Sequence, residues 1–301
     1  MTELTIPRYA PIWPTILKFN GTSDYVEIPN NEDIDFDKDS EFTLAFWMLA
    51  EMEQPNNVEN EAIEYNILEK WSSVDKYSYA VSYLWRLEEN EQLQQQWVGR
   101  VKVDLYLGKL LIKEITSEMS IDIDTYYYIA VVISNNEISL YINGNQDGAK
   151  GKKLPSNIPQ ALPNSDSLYP DSLYLGRGEY EGNFFNGCIG RLQIFKSALG
   201  KQQILYWLER STSILPFQSP EDDLIGDWRC NEGYGAIAFD YVNNNNGVLG
   251  GSDGLQAQPE WVASGIPTGY INLIKSSYES QFESPSESQS SSNLLAKFFV
   301  K

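Results

Sequence analysis

Histidine is absent from this 301-residue chain, so the chemistry open to it starts from carboxylates, amides and aromatic rings. Without histidine, Ser-His-Asp and Cys-His nucleophilic machinery, the commonest general base and any His-ligated zinc site are excluded. The 42 acidic residues against 22 basic ones leave a net charge of −20, which repels polyanions and disfavours nucleic acid and anionic lipid as partners. The same carboxylates are hard oxygen donors of the kind that calcium takes, and each also has a plainer reading as part of a solvated acidic surface. Aromatic residues make up 13% of the chain, with 19 Tyr and 8 Trp. Such rings suit broad sheet faces and also stack against sugar rings. Cys188 and Cys230 are too sparse for a disulfide-built scaffold and wrongly spaced for a metal knuckle, and they read as buried free thiols.

The elements that must position these groups read almost entirely as strands. Residues 16–29 alternate apolar and polar positions on either side of Gly21-Thr-Ser-Asp24, the pattern of a hairpin with one apolar face that another sheet must cover. In 41–50, Phe42, Leu44, Phe46 and Met48 share the face of a buried strand, and the polar stretch 51–66 reads as a long rim loop. Strands are expected at 67–70 and 77–85, then at 97–107 and 109–115 about a turn at Gly108, with 87–96 either a short helix or a loop. Two strong strands, 126–134 and 137–143, flank the two-residue turn Asn135-Asn136, and Asn143-Gly144 closes the second. Further strands are expected at 172–176, 187–195, 224–229, 247–250 and 261–262, with one short helix at 201–210.

From about residue 274 the composition turns to Ser, Glu, Gln and Pro, which cannot bury enough to order itself, so 271–301 is expected to be a flexible tail ending in an apolar peptide. The expected division is therefore one sandwich domain over 1–270 followed by that tail. No apolar run approaches the length of a membrane span, and the N-terminus shows no basic region followed by an apolar one. That pattern carries the expectation of a cytoplasmic protein or one exported by a non-classical route.

The order of these signals resembles that of laminin-G-like, concanavalin A-like jelly rolls. Leu-Lys-Phe-Asn-Gly-Thr-Ser-Asp-Tyr-Val-Glu-Ile-Pro at 17–29 is similar to the family's opening strand, turn and Val-x-Ile-Pro. Four further matches follow in register: Phe-Thr-Leu-Ala-Phe-Trp at 42–47, Tyr-Ile-Ala-Val-Val-Ile at 128–133 leading to Ser-Leu-Tyr-Ile-Asn-Gly, Leu-Tyr-Leu-Gly-Arg-Gly at 173–178, and Phe-Asn-Gly-Cys-Ile-Gly-Arg-Leu-Gln-Ile-Phe at 185–195. The segment 224–235 looks like the strand that many bacterial members carry after the helix, so the resemblance covers residues 15–265. It implies an all-β, antiparallel two-sheet jelly-roll sandwich with one short helix. Where members commonly have Trp-His-His before the Val-Ala strand, this chain has Tyr126-Tyr-Tyr128 after Thr125. Glucanases of the fold place a Glu-x-Asp-x-x-Glu run on one strand so that its carboxylates share a face near the scissile bond. No strand here carries that spacing, and 187–195 has Gly190 and Arg191 where many members are acidic, so the chain is expected not to be an enzyme.

The resemblance also implies a site. The loop 176–183 is similar in position to the calcium loop of pentraxins, whose other ligands come from a loop matching 72–77. It makes Asp75, Glu179 and Glu181 candidate calcium ligands, against the reading that they are solvated loop carboxylates. Trp71 and Tyr180 are candidate stacking faces for a pyranose ring, and the amides of Asn183 and Asn186 candidate readers of hydroxyls, with core or rim packing as the alternative for each. Asp24 has a structural reading as a residue that fixes its own turn. The function implied is non-catalytic recognition of a glycan or glycoprotein, lectin-like or adhesive, with calcium as a candidate cofactor. From a different class, the sandwich is an assembly subunit docked into a larger protein complex through Leu294, Leu295, Phe298 and Phe299, against the reading of a frayed end.

Overall fold

A computed structural model describes residues 15–55, 62–72, 76–90, 94–134, 137–148, 152–154, 172–178, 184–211 and 223–266. In chain order the strands are β1 (Thr15–Asn20), β2 (Val26–Ile28), β3 (Phe42–Ala50), β4 (Ala62–Lys70), β5 (Tyr77–Glu89), β6 (Gln95–Leu107), β7 (Leu110–Thr116), β8 (Tyr127–Ser134) and β9 (Glu137–Ile142). They continue with β10 (Asn145–Gln146), β11 (Lys152–Lys153), β12 (Leu173–Leu175), β13 (Asn186–Phe195), β14 (Leu224–Trp228), β15 (Ile237–Ala238), β16 (Gly247–Leu249) and β17 (Glu260–Ala263). One α-helix, α1 (Lys201–Ser211), and two 3-10 segments, Glu32–Ile34 and Gly251–Ala257, complete the described elements.

The strands form two sheets, and every named strand pair is antiparallel. The first runs β10-β9-β8-β3-β13-β1-β17, with β11 also on β9 and β14 also on β13; the second runs β15-β16-β2-β12-β4-β5-β6-β7. Alternation turns Phe42, Leu44, Phe46 and Met48 of the first sheet and Tyr79, Val81, Tyr83, Val101 and Val103 of the second into one shared core. This is the expected all-β sandwich. On the outer face of the first sheet lies α1, whose Trp207 ring meets Phe195 of β13 at a tilt, with a centroid separation of 5.2 Å. Arg191 of β13 forms a buried, two-pronged ion pair with Asp227 of β14 at 2.8 and 3.1 Å and donates to the Arg210 carbonyl, which ties the end of α1 to the sheet.

Three sequence expectations change. Residues 16–29 do not form a hairpin: β1 pairs with β13 and β17 in the first sheet, whereas β2 pairs with β12 and β16 in the second. The intervening turn is a cage, in which Asn20 Oδ1 accepts from the backbone N–H groups of Thr22, Ser23 and Asp24 while Asp24 Oδ2 accepts from Asn20 N at 3.0 Å. Such a self-contained turn can cross from sheet to sheet without pairing its flanks, and it is the structural role that Asp24 was open to. Second, β4 begins at Ala62, inside the stretch that reads as rim loop. Third, the described ends of 87–96 are strand: β5 continues to Glu89, β6 starts at Gln95, and the two stay paired to Glu89 opposite Gln95. Both cysteines are buried and free, as the sequence suggests.

Candidate functional site

The long β5–β6 hairpin overhangs the sandwich. Among the described residues β4 pairs with β5 as far as Arg86 and β7 pairs with β6 from Lys102 to Leu107, and none of them flanks the far end of the hairpin as a strand. Trp85 stands opposite Gly99 and Leu87 opposite Trp97, which puts both indoles on the face that, further along, builds the core. Where that face leaves the core it lines a cleft of about 540 Å³, with Gln54, Gln96, Arg100 and Asp122 among its other walls. This volume lies within the roughly 300–1,000 Å³ usual for small-molecule sites.

The second wall is the segment after β7, and three anchors hold it. Along the β6 edge, Ile121 N donates to Gly99 O at 2.8 Å, Ser117 N donates to Val101 O at 2.8 Å, and the Tyr83 hydroxyl donates to Ile121 O at 3.1 Å. Gly99 has to be glycine for this: a Cβ there would lie 2.1 Å from the Tyr83 hydroxyl and 2.3 Å from Ile121 O. From the β10 end, Asp147 accepts from the backbone N–H groups of Glu118 and Met119 at 2.6 and 2.8 Å. On the far side, Asp124 N donates to the Ala50 carbonyl of β3 at 2.8 Å. A wall tied at three places to two sheets is pre-organised, which lowers the ordering cost of binding.

Within the cleft Trp97 is half-buried, while Trp85 is 6% exposed and its indole N–H has no hydrogen-bond partner. Gln54, Gln96 and Asp122 are exposed. Arg100 is committed to Glu88, with Nε to Oε1 at 3.0 Å and Nη2 to Oε2 at 2.5 Å, and its third nitrogen donates to the Glu118 carbonyl. The arrangement offers the half-buried Trp97 ring, backed by Trp85, bordered by amides and a carboxylate, which can hold a ring with hydroxyls around its edge.

Of the site residues expected from sequence, Asp75, Glu179, Tyr180, Glu181, Asn183, Leu294, Leu295, Phe298 and Phe299 lie outside the described residues. Among the described residues no group of three or more His, Cys, Asp or Glu is placed to hold a metal. Trp71 is half-buried, its ring tilted against Tyr106 at a centroid separation of 4.9 Å, with its Nε1 donating to Glu69 Oε1. Glu69 in turn accepts from Asn66, and Gly178, at the root of the expected calcium loop, packs against that Asn66 side chain. The structure thus joins Trp71 to the base of that loop. Asn186 is elsewhere: it starts β13, packs its Cβ against Gly21 and donates its amide to the Glu51 carbonyl at 3.3 Å. Sequence reasoning missed Trp85 and Trp97 as a pair, reading each only as a strand position.

A family model described as the concanavalin A-like lectin/glucanases superfamily matches residues 20–205, more than half of the chain. The chain belongs to this superfamily. The superfamily match ends within α1, so the strands from β14 to β17 that complete both sheets lie outside it. Among solved structures, a candidate carbohydrate-binding protein from Bacteroides ovatus is similar with a TM-score of 0.53 at 14% identity, over 85% of this chain and 61% of the other. The chain therefore spans about three fifths of that protein's length, and the likeness is one of fold. A heptameric SAP-like pentraxin from Limulus polyphemus is similar at 14% identity with a TM-score of 0.46, over 72% of this chain and 93% of that one. No curated protein matches the sequence.

Proposed function

We propose that this superfamily member is a non-catalytic carbohydrate-binding module and that the sugar sits in the cleft between Trp85, Trp97 and the 118–123 segment. The observation that carries the reading is the pair of indoles on one face of an overhanging hairpin, opposite a wall held at three points. Large aromatic faces give contact area at low conformational cost, and the amides of Gln54 and Gln96 supply donors and acceptors for hydroxyls at the rim. Glycoside hydrolysis needs two carboxyl groups flanking the bond, one as acid and one as base or nucleophile. In this cleft the Glu88 carboxylate is bound two-pronged by Arg100, which suits it to holding the hairpin rather than to proton transfer.

The test is a glycan array on the purified chain followed by calorimetry on the hits, comparing wild type with Trp97→Ala and with Gln54→Ala/Gln96→Ala. Loss of about tenfold or more in affinity for Trp97→Ala is expected, in line with 1–3 kcal/mol for a stacking aromatic. Unchanged affinity in both variants would move the sugar out of this cleft. The array is run in calcium and in chelator, because calcium dependence would bring in Asp75, Glu179 and Glu181 and the Trp71 edge as the site.

A further inference from the structure

We infer that the ligand of the cleft is an uncharged glycan, and that carboxylated and sulfated sugars are kept out of it. This rests on the carbohydrate reading above and concerns which sugars that site takes. The second wall carries Glu118, Asp122 and Asp124 and has no basic residue from Ser117 to Thr125. The Arg100 guanidinium, the cation among the cleft walls, is already engaged by both oxygens of Glu88 and by the Glu118 carbonyl. Lys152 reaches the Glu118 carboxylate at 3.6 Å and offsets one of the three negative charges, leaving Asp122 and Asp124 uncompensated by it. Asp147 gives both its oxygens to the wall's backbone, adding negative charge behind it.

An anionic sugar would therefore meet like charge with no free cation among the described lining residues to receive it, whereas hydroxyls find amides, a carboxylate acceptor and the Trp97 ring. At contact distance, one like-charge pair costs about 1 kcal/mol in water and about 4 kcal/mol near a protein surface, so discrimination of at least about fivefold is expected. Because the repelling groups are exposed, the effect weakens as salt shortens the Debye length.

The probe is a set of matched oligosaccharides drawn from the array hits, each neutral member paired with its counterpart oxidised to a uronic acid at C6. Affinities are measured by calorimetry at low and at high salt for wild type and for Glu118→Gln/Asp122→Asn. Two results support the inference: neutral members that bind at least about fivefold more tightly at low salt, and a neutral-to-acidic ratio that shrinks in high salt and in the double variant. Acidic members that bind as tightly as neutral ones, or more so, would overturn it while leaving the carbohydrate reading intact. A ratio that ignores both salt and the double substitution would also overturn it, since the selectivity would then be steric. Absence of any sugar binding would overturn the carbohydrate reading, and this inference with it.

Discussion

Glu232, in the loop between β14 and β15, is a buried carboxyl group whose removal should make the fold more tolerant of alkaline pH. Its side chain is 3% exposed; Oε1 accepts from Phe239 N at 3.1 Å, while Oε2 is buried without a partner. Burial pushes its pKa from 4.5 up to about 7, against the opposing pull of nearby backbone N–H groups. In the unfolded chain the same group ionises near its ordinary value, so between those two pKa values the folded state binds a proton that the unfolded state does not. Stability then falls by about 1.4 kcal/mol per pH unit through that window. Evaluated between pH 5 and pH 8, the lost contribution is about 2–3 kcal/mol. Glu232→Gln keeps an oxygen for Phe239 N and removes the titration. Urea unfolding of both proteins at pH 5, 6, 7 and 8 should show the variant gaining about 2–3 kcal/mol on wild type across the series, or roughly 5–10 °C in Tm. Comparing the two proteins at each pH cancels the general self-repulsion of a chain with a net charge of −20. Parallel pH profiles would refute the reasoning, whatever constant offset the substitution brings.

Two further outcomes probe how the cleft wall is held. Gly99→Ala puts a methyl group 2.1 Å from the Tyr83 hydroxyl, so it should cost about 1–3 kcal/mol in unfolding free energy and weaken sugar affinity by loosening the 117–121 contact. Asp147→Ala strips two charge-assisted hydrogen bonds from Glu118 N and Met119 N on an exposed segment. It should cost about 1–2 kcal/mol, raise protease sensitivity within 117–124 and slow sugar association, while Asp147→Asn restores part of each effect.

The two sheets were legible because their inner faces alternate. The runs at 42–50, 127–134 and 137–142 carry apolar side chains at every second position, and the Asn135-Asn136 and Asn143-Gly144 turns fix where they end. The opening 16–29 misled for a physical reason: alternation reports which face a strand buries, not which strand it pairs with. The Asn20 and Asp24 cage that sends the chain across the sandwich is made of side-chain bonds to backbone, which look like ordinary turn chemistry in sequence. Residues 87–96 misled because Glu and Gln favour helix locally. Pairing with the partner strand overrides that preference, as thirteen consecutive residue pairs hold β5 to β6.

The same override explains why the cleft was invisible while its residues were in plain view. Trp85 continues the run Tyr79, Val81, Tyr83 and so reads as the next core position, and Trp97 opens another alternating stretch. That assignment holds for Trp85, which is 6% exposed and part of the core, whereas Trp97 is only half-buried against it. Among the described residues β4 pairs as far as Ala62 opposite Arg86 and β7 as far as Thr116 opposite Lys102, so Leu87 and Trp97 lie beyond both, while Trp85 still stands beside Ile63. An indole left there is either a liability or a binding face. One clue to which is the segment brought against these indoles, 117–124: it is pinned by its backbone and shows solvent Glu118, Asp122 and Asp124 beside the exposed Met119 and Ile123. A wall built only to bury indoles would carry no charge; this one covers Trp85, leaves Trp97 half-buried and carries three carboxylates.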